Sequence, residues 1–123
     1  MSTKFYELHG VRVVECVADG ARLQTYQDAV DLIGKSFENH ATLIVLPVEC
    51  LDDDFFRLST RIAGELIQKF VQYQRCLAIV GDISRHLTES SALRAFVAES
   101  NRGKEVWFLA SLDELERRLA PTV

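Results

Sequence analysis

The sequence predicts a single α/β domain, 1–123, built on a mixed five-stranded sheet with four helices, in the order β-β-α-β-α-β-α-β-α. Three observations carry that prediction. Leu43-Ile44-Val45-Leu46 and Cys76-Leu77-Ala78-Ile79-Val80 are unbroken apolar runs, the pattern of strands covered on both faces in a parallel sheet. Between them lies a long segment with helical periodicity, so the two strands are joined by a crossover. The chain opens with two short strand-like runs around His9-Gly10, a two-residue turn that reads as an antiparallel hairpin.

In chain order, Phe5 to Leu8 and Val11 to Val17 form that hairpin, and Ala18-Asp19-Gly20 ends it. Thr25, with Asp28 three residues on, predicts a capping box opening a helix whose apolar face holds Tyr26, Ala29, Val30, Ile33 and Phe37 and which ends near Asn39. Pro47 fits the end of the next strand, where no ladder N–H is needed.

The segment 55–74 reads as one continuous helix. Phe55, Phe56, Leu58, Ile62, Ala63, Leu66, Ile67, Phe70, Val71 and Tyr73 fall on one side, an arc of roughly 200° against the ~100° that a sheet face requires. That excess predicts contact with a neighbouring helix or with a second subunit in a homodimer. Any of Asp52, Asp53 and Asp54 can cap its start. Gly64 falls on the polar face as a tolerated glycine that costs up to about 1 kcal/mol. After Asp82, Thr88 is the expected N-cap of a helix carrying Leu93, Phe96 and Val97, closed by Asn101-Arg102-Gly103 with the glycine left-handed. Val106 to Ala110 is the last strand. Ser111-Leu112-Asp113-Glu114 is a capping box for a final helix stopped by Pro121.

Composition excludes several function classes. Lys and Arg total 14 against 18 Asp and Glu, a formal charge of −4, and the basic residues form no stripe; nucleic acid is not an expected partner. No run approaches the ~18 apolar residues of a membrane span and no apolar leader follows Lys4, so a cytoplasmic protein is expected. Cys16, Cys50 and Cys76 are odd in number and scattered, which predicts reduced thiols, Cys16 and Cys76 filling core volume. No phosphate loop, dinucleotide turn, nucleophile elbow or paired-histidine helix occurs, and His9, His40 and His86 have no metal spacing. No catalytic residue, cofactor or metal ligand is assigned.

The run DFFRLSTRIAGELIQKFVQYQRCLAIVGD together with ESNRGKEVWF resembles a bacterial family, the domain of unknown function forty-one-eighty. The resemblance covers nearly the whole chain through Ala63-Gly64-Glu65, Gln68-Lys69-Phe70, Ala78-Ile79-Val80-Gly81-Asp82 and Glu99-Ser100-Asn101. At fold level the element order is similar to the STAS domains, the anti-sigma-factor antagonists and transporter tails, and to their lipid-binding relatives, an analogy that carries no function by itself. In switchable STAS domains the resemblance implies a phosphorylatable Ser or Thr at the start of the helix after the third strand. Here that corner reads Cys50-Leu51-Asp52-Asp53-Asp54-Phe55, without a hydroxyl; Ser59 and Thr60 are expected more than a turn inside the helix, Ser59 within its apolar arc.

Two constellations remain. Glu49, Asp52, Asp53, Asp54 and Asp82 lie at the carboxyl ends of parallel strands, where ligands of open α/β sheets bind. As a fixed acidic corner they offer a partner-recognition surface; with Ser84 and Ser111 they offer a hard-cation site as a weaker reading. Arg61, Glu65 and Lys69 form an i, i+4, i+8 charge ladder, ordinarily an exposed one. Because the family resemblance runs through Glu65, Lys69 and Asn101, those three with Arg61 are the alternative, a small-anion site. The reading that follows is a non-enzymatic regulatory or protein-interaction module with a protein partner, itself included. The alternative is an anion- or lipid-binding protein or an enzyme of unknown reaction.

Overall fold

The computed structural model describes residues 2–20 and 22–121. Its sheet has the strands in sequence order: β1 (Thr3–Leu8), β2 (Val11–Cys16), β3 (Leu43–Pro47), β4 (Cys76–Val80) and β5 (Val106–Leu109). β1 is antiparallel to β2, and the other neighbours are parallel. His9 and Gly10 take positive φ, 49° and 82°, the backbone that a two-residue hairpin turn requires.

Because each parallel strand lies beside its predecessor, crossovers of one hand all land on one face. Helices α1 (Tyr26–Glu38), α2 (Ile62–Gln72) and α4 (Ser91–Arg102) bury Ala29, Leu32, Ile33, Leu66, Phe70 and Leu93 against Val14, Ile44, Leu46, Leu77, Ile79 and Phe108. The opposite face, Val13, Leu43, Val45, Ala78 and Val80, packs on the short final helix α5 (Leu112–Leu119) through Leu115. At its far side α5 reaches the hairpin turn, with Glu116 3.9 Å from His9. Both faces of β3 and β4 are therefore covered, which is why their sequences are continuously apolar.

The capping box at α1 is present: the Asp28 N–H donates to Thr25 Oγ1 at 3.1 Å, and the Asp28 carboxylate accepts from Thr25 N–H at 3.0 Å and Gln24 N–H at 2.9 Å. Burial alone would push the Asp28 carboxyl up; those N–H groups and the Thr25 hydroxyl overcome it and hold the group below the usual carboxylate range. A carboxyl depressed by folding stabilises above its unfolded value of about 3.9, and that contribution is lost as pH falls through the folded value. Asp28→Ala is expected to cost about 1 kcal/mol at neutral pH. Urea titrations should show the gap from wild type shrinking below pH 4.

Several expectations need correction. The segment before α2 is not helix. Asp53–Phe56 and Leu58–Thr60 are two 3-10 turns, Arg61 is left-handed at φ 65°, and α2 begins at Ile62. Phe55 and Phe56 are buried from the turn, edge to face at 5.1 Å, so they belong to the core and are not part of a helical arc left over for a second subunit. The buried face of α1 is Ala29, Leu32, Ile33 and Ser36; Tyr26 and Phe37 lie off it and are exposed. An extra helix, α3 (Ser84–Glu89), precedes α4, and the α4 cap is Ser90, whose hydroxyl accepts from Leu93 N–H at 3.0 Å, while Thr88 Oγ1 donates to the Ser84 carbonyl. Gly103 has φ −89° and is not left-handed. At α5 the Ser111 hydroxyl accepts from Glu114 N–H, but the Glu114 carboxylate takes the Ala110 N–H, one residue before the cap. Cys16 and Cys50 are the buried thiols; Cys76 is partly exposed and its Sγ lies 2.8 Å from the Lys104 carbonyl. Gly64 has open space beside it.

Candidate functional site

The carboxyl ends of β3 and β4 meet at Gly81. Its φ is +143°, and a Cβ there would stand 2.3 Å from Val48 Cγ2, so the β4 end lies directly against the Val48–Cys50 turn that follows β3. From this junction the chain leads into the acidic corner.

The three aspartates do not cap a helix. Each holds an arginine. Asp52 accepts from Arg22 at 2.9 Å and from the Gln24 amide at 2.5 Å, and these two bonds, Gln24 first, hold its carboxyl below the usual range. Asp53 accepts from Arg85 at 2.7 Å and lies 3.5 Å from His86 Nε2; the His86 ring stacks on Phe56 with centroids 4.5 Å apart. Asp54 pairs with Arg57 at 2.9 Å. Arg22 and Arg85 thus tie the corner to the segment before α1 and to α3. The surface carries alternating charges and not the bare anionic patch that the sequence predicts. These pairs are exposed and screened by solvent, so they orient the corner more than they stabilise it. Glu49 is exposed in the Val48–Cys50 turn.

Asp82 faces the neighbouring strand end. It accepts from the Ser84 hydroxyl and, at 2.9 Å, from the Ser84 N–H, and the hydroxyl contact first of all keeps its carboxyl below the usual range. A cleft of about 360 Å³ opens here between the ends of β4 and β5, with Asp82, Ser84 and Glu114 at its rim and Leu87, Val97 and Phe108 in its walls. Both carboxylates are already engaged with their own backbone. Among the described residues no three His, Cys, Asp or Glu side chains converge to hold a metal ion.

The four residues of the small-anion reading do not come together. Asn101 is partly buried at the outer edge of β5, where its amide donates to the Phe108 carbonyl at 3.1 Å and accepts from the Phe108 N–H at 2.7 Å. That bidentate contact imitates the next strand of a ladder and holds the amide against β5. Arg61 lies in the left-handed turn, and neither Arg61–Glu65 nor Glu65–Lys69 forms an ion pair among the described residues.

Lys69 instead reaches across to α1. Its Nζ lies 4.4 Å from the Tyr26 ring centroid and 5.8 Å from that of Tyr73, and it donates to Gln72 Oε1 at 3.1 Å. Beyond it, Tyr73 meets Phe37 edge to face at 6.4 Å, and the Arg75 guanidinium stands 3.7 Å over Phe37. Tyr26 is 60% exposed, Phe37 49% and Tyr73 44%. The outer surface of α1 and α2 therefore carries three exposed rings interleaved with two cations, a feature hidden in the sequence because Tyr26 and Phe37 fall at the helical spacing of a buried face.

With α2 starting at Ile62, Ser59 and Thr60 stand just before the helix and are exposed, not inside it; Thr60 Oγ1 is 2.8 Å from both the Asp54 and Arg57 carbonyls.

A sheet of sequentially ordered strands, with α1 to α4 in the crossovers on one face and α5 on the other, defines an α/β protein. The chain belongs to the family of DUF4180, a domain of unknown function, whose family model matches residues 8–119. No curated protein and no solved structure matches the chain. Among the described residues no helix is long and apolar enough to cross a membrane.

Proposed function

We propose that the chain is a non-enzymatic regulatory or protein-interaction module and that the outer surface of α1 and α2 is its docking face. One observation carries this: Tyr26, Phe37 and Tyr73 stay exposed on a surface that also holds Lys69 and Arg75. Exposed rings beside cations are the composition of protein-interface hot spots, because a rigid ring buries large area at small entropic cost. The chain is acidic overall, so a local pair of cations selects a partner with an acidic, apolar segment.

A photo-crosslinking residue in place of Tyr73, and separately in place of Glu49 at the acidic corner, tests the assignment in cells. An adduct at position 73, whose isolated partner binds about tenfold or more weakly to Tyr26→Ala and Lys69→Glu with melting unchanged, is the expected result. An adduct at position 49 alone would move the docking face to Glu49, Asp52, Asp53, Asp54 and Asp82. Adducts at neither position would remove the reading.

The exposed Ser59 favours a second reading, in which the module is switched by modification. A phosphate there would sit beside Arg57 and Arg61 at the start of α2, where charge pairing and the helix dipole both favour it. Mass spectrometry of the protein isolated from its own cells decides it; an unmodified Ser59 under every growth condition would remove the switch.

A further inference from the structure

The two edges of the sheet are built differently. The outer edge of β5 is closed by the Asn101 amide on Phe108 and by the Glu114 carboxylate on Ala110 N–H, at 3.0 Å. The outer edge of β1 has no such cover. Val17 N–H donates to the Ser2 carbonyl, which fixes the ladder phase: in β1 the even-numbered residues bond to β2, and Thr3, Phe5 and Glu7 turn their N–H and C=O groups outward. Among the described residues nothing pairs with those groups. Phe5, at the centre of this edge, is 44% exposed.

We propose that β1 pairs with β1 of a second copy, antiparallel about a two-fold axis at Phe5, to join two sheets into one. The strand is self-complementary in this register and in no adjacent one. With Phe5 opposite Phe5 of the second copy, Thr3 faces Glu7 and Lys4 faces Tyr6, so all three outward residues pair, giving about six backbone hydrogen bonds. The rings meet at the axis, and no like charges oppose each other across the seam. Sliding by one pair towards the N-terminus sets Lys4 against Lys4; sliding the other way sets Phe5 against Glu7, and either slip loses a pair of bonds.

The rest of the molecule accommodates this contact. A groove of about 540 Å³ between β1 and α1, lined by Thr3, Val30, Gly34 and the charged Asp28, Asp31, Lys35 and Glu38, leaves the helix side of the edge clear. The axes of the two α1 helices would lie about three strand spacings apart, about 14 Å, and the side chains facing the groove carry both signs, Lys35 among Asp28, Asp31 and Glu38. On the other side Lys4 already lies 3.4 Å from Glu15, which also accepts from Tyr6 at 2.5 Å, so that row would continue from one copy into the next. An edge strand that adds a neighbour needs only its main chain free, and a two-fold contact needs one patch that complements itself. β1 meets both conditions.

Sedimentation of the full chain over micromolar to submillimolar concentrations tests this. The wild type is expected at twice the 13.9 kDa chain mass at the upper end. Phe5→Pro deletes an outward N–H that the hairpin does not use, so it is expected to keep its circular dichroism and melting and to stay at the single mass. Should Phe5→Pro fail to fold, Phe5→Lys sets two cations across the axis and is expected to weaken association about tenfold or more. Amide exchange gives the residue-level readout: the N–H groups of Thr3, Phe5 and Glu7 should become protected as concentration rises. A wild type monomeric throughout, or a dimer that persists in the folded variants with those three amides unprotected, would overturn the proposal.

Discussion

Gly81→Ala is expected to lower the stability of the protein by about 3–5 kcal/mol, the largest effect of any single methyl group added to this chain. Two independent costs add. At φ +143° any residue with a Cβ is strained, and the new carbon would stand 2.3 Å and 2.9 Å from the two γ-carbons of Val48. Neither side can retreat freely, because Val48 begins the turn that seats the buried Cys50 and Leu51, and Gly81 N–H is bonded to the Leu109 carbonyl at 2.9 Å. The costs separate in a double-mutant cycle. Val48→Ala removes both clashing carbons and should recover about 1–3 kcal/mol in the Gly81→Ala background, leaving the conformational part behind. Urea midpoints of the four proteins give the answer. A coupling near zero would mean that the β3 and β4 ends are less tightly joined than their geometry requires.

Leu115→Ala is expected to cost about 2–5 kcal/mol, at the upper end of what a leucine truncation does. Leu115 is the fully buried anchor of α5, and α5 is the helix that covers Val13, Leu43, Val45, Ala78 and Val80. Truncation leaves a cavity against a sheet face that has no second helix to close it. Denaturant titration measures the loss, and hydrogen exchange locates it: α5 amides should exchange well before those of β3 and β4. Uniform loss of protection would show that α5 unfolds only with the whole domain.

Most of the fold is legible in the sequence because tertiary structure here agrees with local signals. The His9-Gly10 turn, the Thr25–Asp28 box and the apolar runs of β3 and β4 each state their own structure. The failure at 53–61 has a physical cause. Phe55 and Phe56 are adjacent and both buried, and Leu58 and Ile62 follow at helical spacing, so the apolar count matches a helix. The tighter 3-10 turns aim both rings inward, and Arg61 takes a left-handed backbone with no glycine to mark it. The helix Ser84–Glu89 buries no residue, so periodicity had nothing to report. In the candidate site the acidic residues could be named but not their partners: Arg22 and Arg85 lie 30 and 32 residues from the aspartates they hold. Only the assembled fold could bring them together, and only it could leave Tyr26, Phe37 and Tyr73 outside the core.

The sequential strand order also bears on how the chain is made. Each parallel strand docks on the one before it, about thirty residues earlier, so the separation between partners never grows with length and contact order stays moderate. A chain emerging from the ribosome can add one strand and one helix at a time to a sheet already begun, and no strand must wait for a distant partner to be synthesised. The exception is α5. The face of β2, β3 and β4 that it covers has to stay bare until α5 itself is made, and a nascent chain stalled before Leu112 presents that apolar surface to whatever chaperone is near.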